Sequence, residues 1–405
     1  MKQLNPQSIS TKATLLLAST LTVMSGATIA PSLPAMQEHF AEIGNVALWV
    51  RLVLTLPALF IVIGSPVAGL IVDRFGRKPM LVICAAIYGL AGSSGFVLNS
   101  LPAILCGRAL LGLAVAGIMV SATTTIADYY AGAARATFMG LQAAFMGLGG
   151  VLFLTSGGYL ADLNWRLPFL IYLFAWLLLP MMVLFLYESR QPQSHPSVQA
   201  DRTNDAGSLA PTPLGLLILV YGTACLTQII FYMIPVQLPF YLKSLSNAGA
   251  SESGLAIAFA TLLSAFAALA YGKIKQRLGF ISILTLSFGL MGIGYGIIGF
   301  AGSYGLILVG LGIAGLGLGL LMPNLTVWIS AEVPDAIRGR ALGGLTTFMF
   351  LGQFLSPIFS QPISQQVGLG ITYSGAGGLL LLVALALLAM RKQVLAFVAS
   401  PEKSS

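Results

Sequence analysis

Residues 69–78 read Gly69-Leu-Ile-Val-Asp73-Arg74-Phe-Gly76-Arg77-Lys78. One long apolar run leads into this stretch and another leaves it. Ten residues therefore supply a helix end, a carboxylate, three cations and a turn. Gly69 is small enough for a neighbouring helix to approach closely, and Gly76 permits a tight turn. Asp73 at a helix end is placed to meet arginine or the positive N-terminus of another helix.

The composition around this stretch is that of an integral membrane protein. Of 405 residues, 57% are hydrophobic and 8% charged, against about a quarter charged in soluble domains; mean hydropathy is +0.91. The net charge of +8 does not indicate nucleic acid, because the cations sit in short clusters between apolar runs. Cys84, Cys106 and Cys225 lie inside apolar runs and read as small core residues. His39 and His195 are far apart in loops, so no metal site follows.

Apolar runs long enough to cross a bilayer are expected at about 13–33, 46–72, 79–98, 102–127, 138–160, 167–187, 214–234, 253–271, 280–300, 304–327, 341–364 and 371–390. With a cytoplasmic N-terminus, sixteen of the twenty Lys and Arg fall on the cytoplasmic side. Arg166 and Lys243 fall outside, and Arg51 and Arg108 within spans. That bias places both termini in the cytoplasm. Residues 188–213, rich in Pro, Ser, Gln and Asp, read as a cytoplasmic linker. The expected organisation is a six-helix bundle over 1–187, the linker, a second bundle over 214–392 and a cytoplasmic tail over 393–405.

The bundles look like copies. A displacement of 203 positions carries Gly69, Arg74 and Gly76 onto Gly272, Arg277 and Gly279. It also carries Arg135 and Gly140 onto Arg338 and Gly343, and Phe145, Met146, Leu148 and Gly149 onto Phe348, Met349, Leu351 and Gly352. Six spans per copy give both copies one orientation. Such parallel repeats suit an alternating-access transporter with its site between the halves.

The stretch Gly69-x-x-x-Asp73-Arg74-x-Gly76-Arg77-Lys78 resembles the signature between the second and third helices of the major facilitator superfamily. Ala30-Pro31-Ser32-Leu33-Pro34, Arg108, Asp128 through Arg135, and Trp165-Arg166 resemble segments of its twelve-helix drug:proton antiporter branch. The resemblance implies an all-α fold of twelve transmembrane helices in two pseudo-twofold six-helix bundles. It also implies a latch in which Asp73, Arg77 and Asp128 form a charge cluster holding the start of the eleventh helix. The latch would close the cytoplasmic side and break in the inward-open state; Gly69, Arg74, Gly76 and Arg135 belong to the same loops. Gln276 stands at the repeat position of Asp73, so only one half keeps the acid.

The chain departs from the family in three places. None of its twelve acids lies near the middle of a span. Leu111 replaces the glutamine usual three residues after Arg108, and Phe153-Leu154 replaces the Gly-Pro pair of the fifth helix, while Pro357 occupies the repeat position of Leu154. Arg108, about 10 Å into its span, is expected in the site, and Arg108→Ala is expected to abolish transport with expression intact. Arg51 is read equally as functional or as snorkelling to the outer surface. Further candidates for the substrate or proton pathway are Ser25, Phe145, Gln228, Tyr232, Asn324, Phe350 and Gln353, with Met24 and Thr28. They are expected on the first, fourth, fifth, seventh, tenth and eleventh helices. Gln228 and Gln353 stand out, because an amide in hydrocarbon needs a partner.

No enzyme is expected: Gly315-Leu-Gly317-Leu-Gly319 lies inside a span, and no nucleotide loop or Ser/His/Asp set is present. The expected function is export of small amphipathic compounds against inward proton flow. The expected setting is a bacterial-type cytoplasmic membrane, with a monomeric, multi-pass chain in the lipid bilayer and no cofactor, metal or nucleic acid. Two alternatives stand beside it. One is an exporter of an anionic metabolite, such as a siderophore or organic acid, using Arg108 and Arg51. The other is a membrane sensor that transports nothing.

Overall fold

A computed structural model describes residues 8–188 and 214–394. Most of the expected linker, all but Gln393 and Val394 of the expected tail, and the first seven residues lie outside that description. No strand occurs among the described residues. Among the described residues, twelve helices are long and apolar enough to cross a membrane. They are Ile9–His39, Val46–Phe75, Arg77–Phe96, Leu101–Tyr129, Thr137–Leu163, Leu167–Phe185, Leu214–Ser246, Ala250–Lys275, Phe280–Gly299, Tyr304–Glu332, Asp335–Val367 and Leu369–Ala389, numbered below as spans one to twelve. All twelve expected spans appear, several of them longer than the apolar run alone, because helices continue past the hydrocarbon into polar termini.

Large apolar side chains lie on outer faces as well as inside. Leu70, Leu269 and Leu388 are among the exposed ones. Lipid, not water, is the solvent these faces suit. Within each half the spans pack on one another through small residues. A Cβ at Gly112 on the fourth span would lie 2.9 Å from the Pro57 Cα of the second, and one at Gly317 on the tenth would lie 2.6 Å from the Ser287 carbonyl of the ninth. Close backbone approach of this kind holds helices together where no hydrophobic force acts between them.

The two halves repeat even in their irregularities. The first span breaks after Ala27 at Ala30-Pro31-Ser32, and the seventh breaks at Tyr232. The displacement of 203 carries Ile29 onto Tyr232, so both breaks fall at the same place in each copy. Broken helices are tolerated inside a membrane where they are buried in protein or line a cavity. Gly69 and Gly272 sit in spans two and eight, both even, and therefore at the same end of the molecule.

Contact between the halves runs along the fifth and eighth spans and along the second and eleventh. The fifth–eighth seam is closest at the cation-poor end, where a Cβ at Gly158 would lie 2.8 Å from the Ala250 carbonyl and one at Gly254 2.6 Å from the Leu154 carbonyl. At the cation-rich end the same elements stand free. Gly69, Gly140, Gly272 and Gly343 have no atom within 4 Å of where a Cβ would project. The expected close approach of a helix to Gly69 is therefore absent in this conformation, because the halves diverge toward that end.

Candidate functional site

Between the halves, near the two helix breaks, lies a cavity of about 350 Å³, within the usual range for small-molecule sites. Two larger hollows, of about 630 and 510 Å³, each belong to one half and lie between outward-facing apolar side chains such as Val67 and Ile363. They are lipid-facing grooves. The central cavity is shared by both halves.

Of the residues expected there, Ser25, Gln228, Tyr232, Phe350 and Gln353 line it. The breaks explain their placement: Ser25 precedes the first, and Gln228 and Tyr232 stand at the second. Met119, Met146 and Met349 add soft apolar surface. No Asp, Glu, Lys, Arg or His is among the lining residues. Ser25 turns its hydroxyl to the Thr22 carbonyl of its own helix, 2.8 Å away. Gln228 is buried; its Nε2 faces the Met322 sulfur at 3.8 Å and its Oε1 has no partner.

Other expected members are elsewhere. Phe145 packs against the core, and the cavity wall carries Met146, one residue further round the helix. Asn324 is wholly buried within the second half, donating from Nδ2 to the Phe280 carbonyl at 3.0 Å and accepting from the Tyr271 hydroxyl at 3.3 Å. The tenth span thus contributes nothing to the wall, and Met24 and Thr28 turn into the core. The second and eighth spans line it instead. The second supplies Leu54, Pro57, Ala58 and Ile61; the eighth supplies Ile257 and Thr261.

Arg108 is almost fully buried, but inside the first half and off the cavity wall. Its guanidinium lies 4.6 Å from the Phe169 ring and 4.7 Å from the Tyr172 ring. One nitrogen donates to the Gly92 carbonyl at 3.3 Å, and another has no partner. It therefore ties the fourth span to the third and sixth.

Arg51 does not snorkel. It is 4% exposed and crosses between the halves, donating from Nε to Gln237 Oε1 at 2.8 Å. Its Nη1 donates to Gln37 Oε1 at 3.0 Å and to the Ala47 carbonyl at 2.7 Å. Phe240 stacks against it at 3.8 Å. Gln237 continues the chain of contacts, donating to Ser360 Oγ at 3.2 Å and Gln361 Oε1 at 3.0 Å. Nearby, Lys243 of the second half pairs with Glu38 of the first. Asp162 accepts from the Ala250 and Ser251 N–H groups at 2.6 and 3.1 Å, capping the eighth span from across the seam. These polar bonds between the halves all lie at the cation-poor end.

At the other end, Arg77 Nε and Asp128 Oδ2 are 2.9 Å apart. The N–H is not aimed at the oxygen, so this is an ion pair without a well-formed hydrogen bond. Glu188 accepts from the Arg77 and Lys78 N–H groups at 2.8 and 2.9 Å, capping the third span. Gly76 has φ +97, and a Cβ there would lie 2.8 Å from Glu188 Oε1. Tyr187 stacks on Tyr129, whose hydroxyl donates to the Tyr187 carbonyl at 2.6 Å and accepts from the Tyr187 N–H at 2.9 Å; burial raises the Tyr187 phenol above its ordinary value. Asp73, Arg74 and Arg135 are exposed, and Asp73 has no ion-pair partner among the described residues. Glu188, Asp162, Gln37 and Gln237 are not among the residues the sequence singles out. The two glutamines carry the signal that marks Gln228, an amide in or beside an apolar run. The two acids carry none, since each caps a helix distant in sequence.

The profile of the Major Facilitator Superfamily matches residues 15–279 and 220–403. The chain belongs to this superfamily of membrane transporters. It is 24% identical over 357 residues to the class H tetracycline resistance protein of Pasteurella multocida, covering 85% of this chain and 86% of that one. It is 26% identical over 348 residues to the bacillibactin exporter of Bacillus subtilis strain 168, covering 81% and 83%. It is 25% identical over 357 residues to the multi-drug resistance efflux pump PmrA of Streptococcus pneumoniae, covering 85% and 88%. In structure it is similar to a D-xylose-proton symporter, with TM-score 0.78 at 17% identity over 93% of this chain and 96% of that one. A bacterial homologue of the human lysosomal transporter Spinster, inward-facing and occupied, gives the same score and identity over 98% and 99%.

Proposed function

We propose that the chain exports small, uncharged or weakly amphipathic compounds by alternating access, with protons as the counter-ion. The observation that carries this reading is the cavity between the halves: soft, apolar, without a charged side chain, and sealed at one end only. The setting is a bacterial cytoplasmic membrane, with the cation-rich end and both termini in the cytoplasm. On this reading the end that stands open is the cytoplasmic one, and of the three residues of the latch only Asp73 has left it, Arg77 and Asp128 staying 2.9 Å apart. Closing that end would bring Asp73 to the eleventh span while the bonds of Arg51, Lys243 and Asp162 across the halves break.

Proton exchange then falls to carboxylates at the cation-rich end, where Asp128 is partly buried beside Arg77. The likeness to the bacillibactin exporter favours the second reading, an anionic metabolite. That reading calls on Arg108 and Arg51, and neither faces the cavity. Reconstitution in proteoliposomes with an imposed pH gradient tests the proposal. A neutral fluorescent amphiphile should move against the proton gradient and dissipate it. Movement of organic anions alone would favour the second reading, and no movement of either would favour a sensor.

A further inference from the structure

The breaks in the first and seventh spans, beside which Ser25 and Tyr232 reach the cavity wall, are held from behind by buried tyrosines. In the second half, Tyr295 of the ninth span donates its hydroxyl to the Ile230 carbonyl at 2.7 Å, and Tyr373 of the twelfth donates to the Met233 carbonyl at 2.8 Å. Those carbonyls stand on either side of Tyr232, the residue at which the helix breaks. In the first half, Tyr88 of the third span donates to the Leu21 carbonyl at 2.7 Å, and Tyr172 of the sixth to the Ser25 carbonyl at 3.2 Å. All four side chains are fully buried, and the rings of each pair lie 5.7 Å apart. The device is not inherited through the repeat. The displacement of 203 carries Tyr88 onto Met291 and Tyr172 onto Gly375, and it carries Gly92 and Leu170 onto Tyr295 and Tyr373. Each half therefore reaches the same kind of bond from its own positions.

A carbonyl oxygen has two lone pairs, so it can accept from a tyrosine while the backbone keeps its own bonds. Losing one of these hydroxyls therefore leaves the helix intact. What is lost is the tie between an interrupted turn and the unbroken span behind it. At the seventh span that turn carries Tyr232. Its side chain is part-exposed on the cavity wall, and its hydroxyl reaches across to the first half, where a Cβ at Gly26 would lie 2.7 Å from it. We infer that Tyr295 and Tyr373 are positioning residues for substrate binding. They fix the break of the seventh span so that Tyr232 closes the cavity against the first span in the geometry that fits the transported molecule. They act through Tyr232, since neither lines the cavity itself. This rests on the proposed use of the central cavity as the transport site.

The test follows transport of N-phenyl-1-naphthylamine, a neutral fluorescent probe, by the full chain in proteoliposomes with an imposed pH gradient. Tyr295→Phe and Tyr373→Phe each lose one hydroxyl and keep the ring. Each should raise KM roughly three- to tenfold, the range for one uncharged hydrogen bond, with kcat within about twofold of wild type. Tyr221→Phe removes a similar bond away from the break, to the Ala341 carbonyl at 2.9 Å, and should leave KM unchanged. In a Tyr232→Ala background neither phenylalanine should raise KM further, because the side chain they position is gone. Tyr232→Leu gives the same comparison if the alanine variant does not fold. An unchanged KM in either phenylalanine variant, a fall in kcat alone, the same rise in Tyr221→Phe, or a rise that persists without Tyr232 would overturn the inference and leave the cavity reading standing. A wild-type KM in Tyr232→Ala, or no transport of the probe by wild type, would overturn the cavity reading and the inference with it.

Discussion

Arg51 brings a guanidinium into the seal between the halves, and no carboxylate meets it among the described residues. Its partners are two amides, a carbonyl and a ring. Removing such a partner leaves Gln237 unsatisfied, at about 2 kcal/mol. Arg51→Leu should therefore shift the balance toward the state open at the cation-poor end, roughly thirtyfold on that figure. Faster maleimide labelling of Ser251→Cys in the Arg51→Leu background is the expected result; an unchanged rate would contradict it. Arg108 leads to the opposite expectation. Enclosed by two rings and off the cavity wall, it is a candidate for replacement by an apolar side chain of similar length. Arg108→Met should retain transport near the wild-type rate, measured in proteoliposomes. Gly76 holds a backbone conformation that other residues adopt only under strain. Gly76→Ala should lower stability by ~1–3 kcal/mol, seen as a lower melting temperature in detergent.

The fifth and eighth spans form the seal through glycine, with Gly158 and Gly254 in close backbone contact. One turn beyond Gly158, a Cβ at Gly249 would lie 3.6 Å from Asp162 Cγ, so Asp162→Cys with Gly249→Cys should cross-link readily. Adding Gly158→Leu should force the spans apart and abolish that cross-link. The seam is partly legible in the sequence, because Gly157-Gly158 stands out in an apolar run. Its partner is not, since Gly254 lies 96 positions further on in a different copy. The span count and the repeat are legible for a simple reason: hydropathy and displacement are properties of the chain itself. The facing of individual side chains is not. Phe145 and Met146 are adjacent in sequence, yet only Met146 reaches the cavity, and a rotation of about 100° per residue decides between them. Asn324 likewise looks available in sequence, while the fold uses both ends of its amide to tie the eighth, ninth and tenth spans.

At the scale of the molecule, two six-span halves meet at one end and part at the other, with an uncharged cavity between. Cations at the open end and their scarcity at the sealed end are readable from the sequence. Which end is sealed is not, because both conformations use the same residues. Double electron–electron resonance on two spin-label pairs tests the rocking directly. One pair, Asn164→Cys with Asn247→Cys, reports the cation-poor end; the other, Leu70→Cys with Lys273→Cys, reports the cation-rich end. During turnover the first distance should lengthen as the second shortens. Distances that change together, or that stay fixed while transport proceeds, would contradict the account.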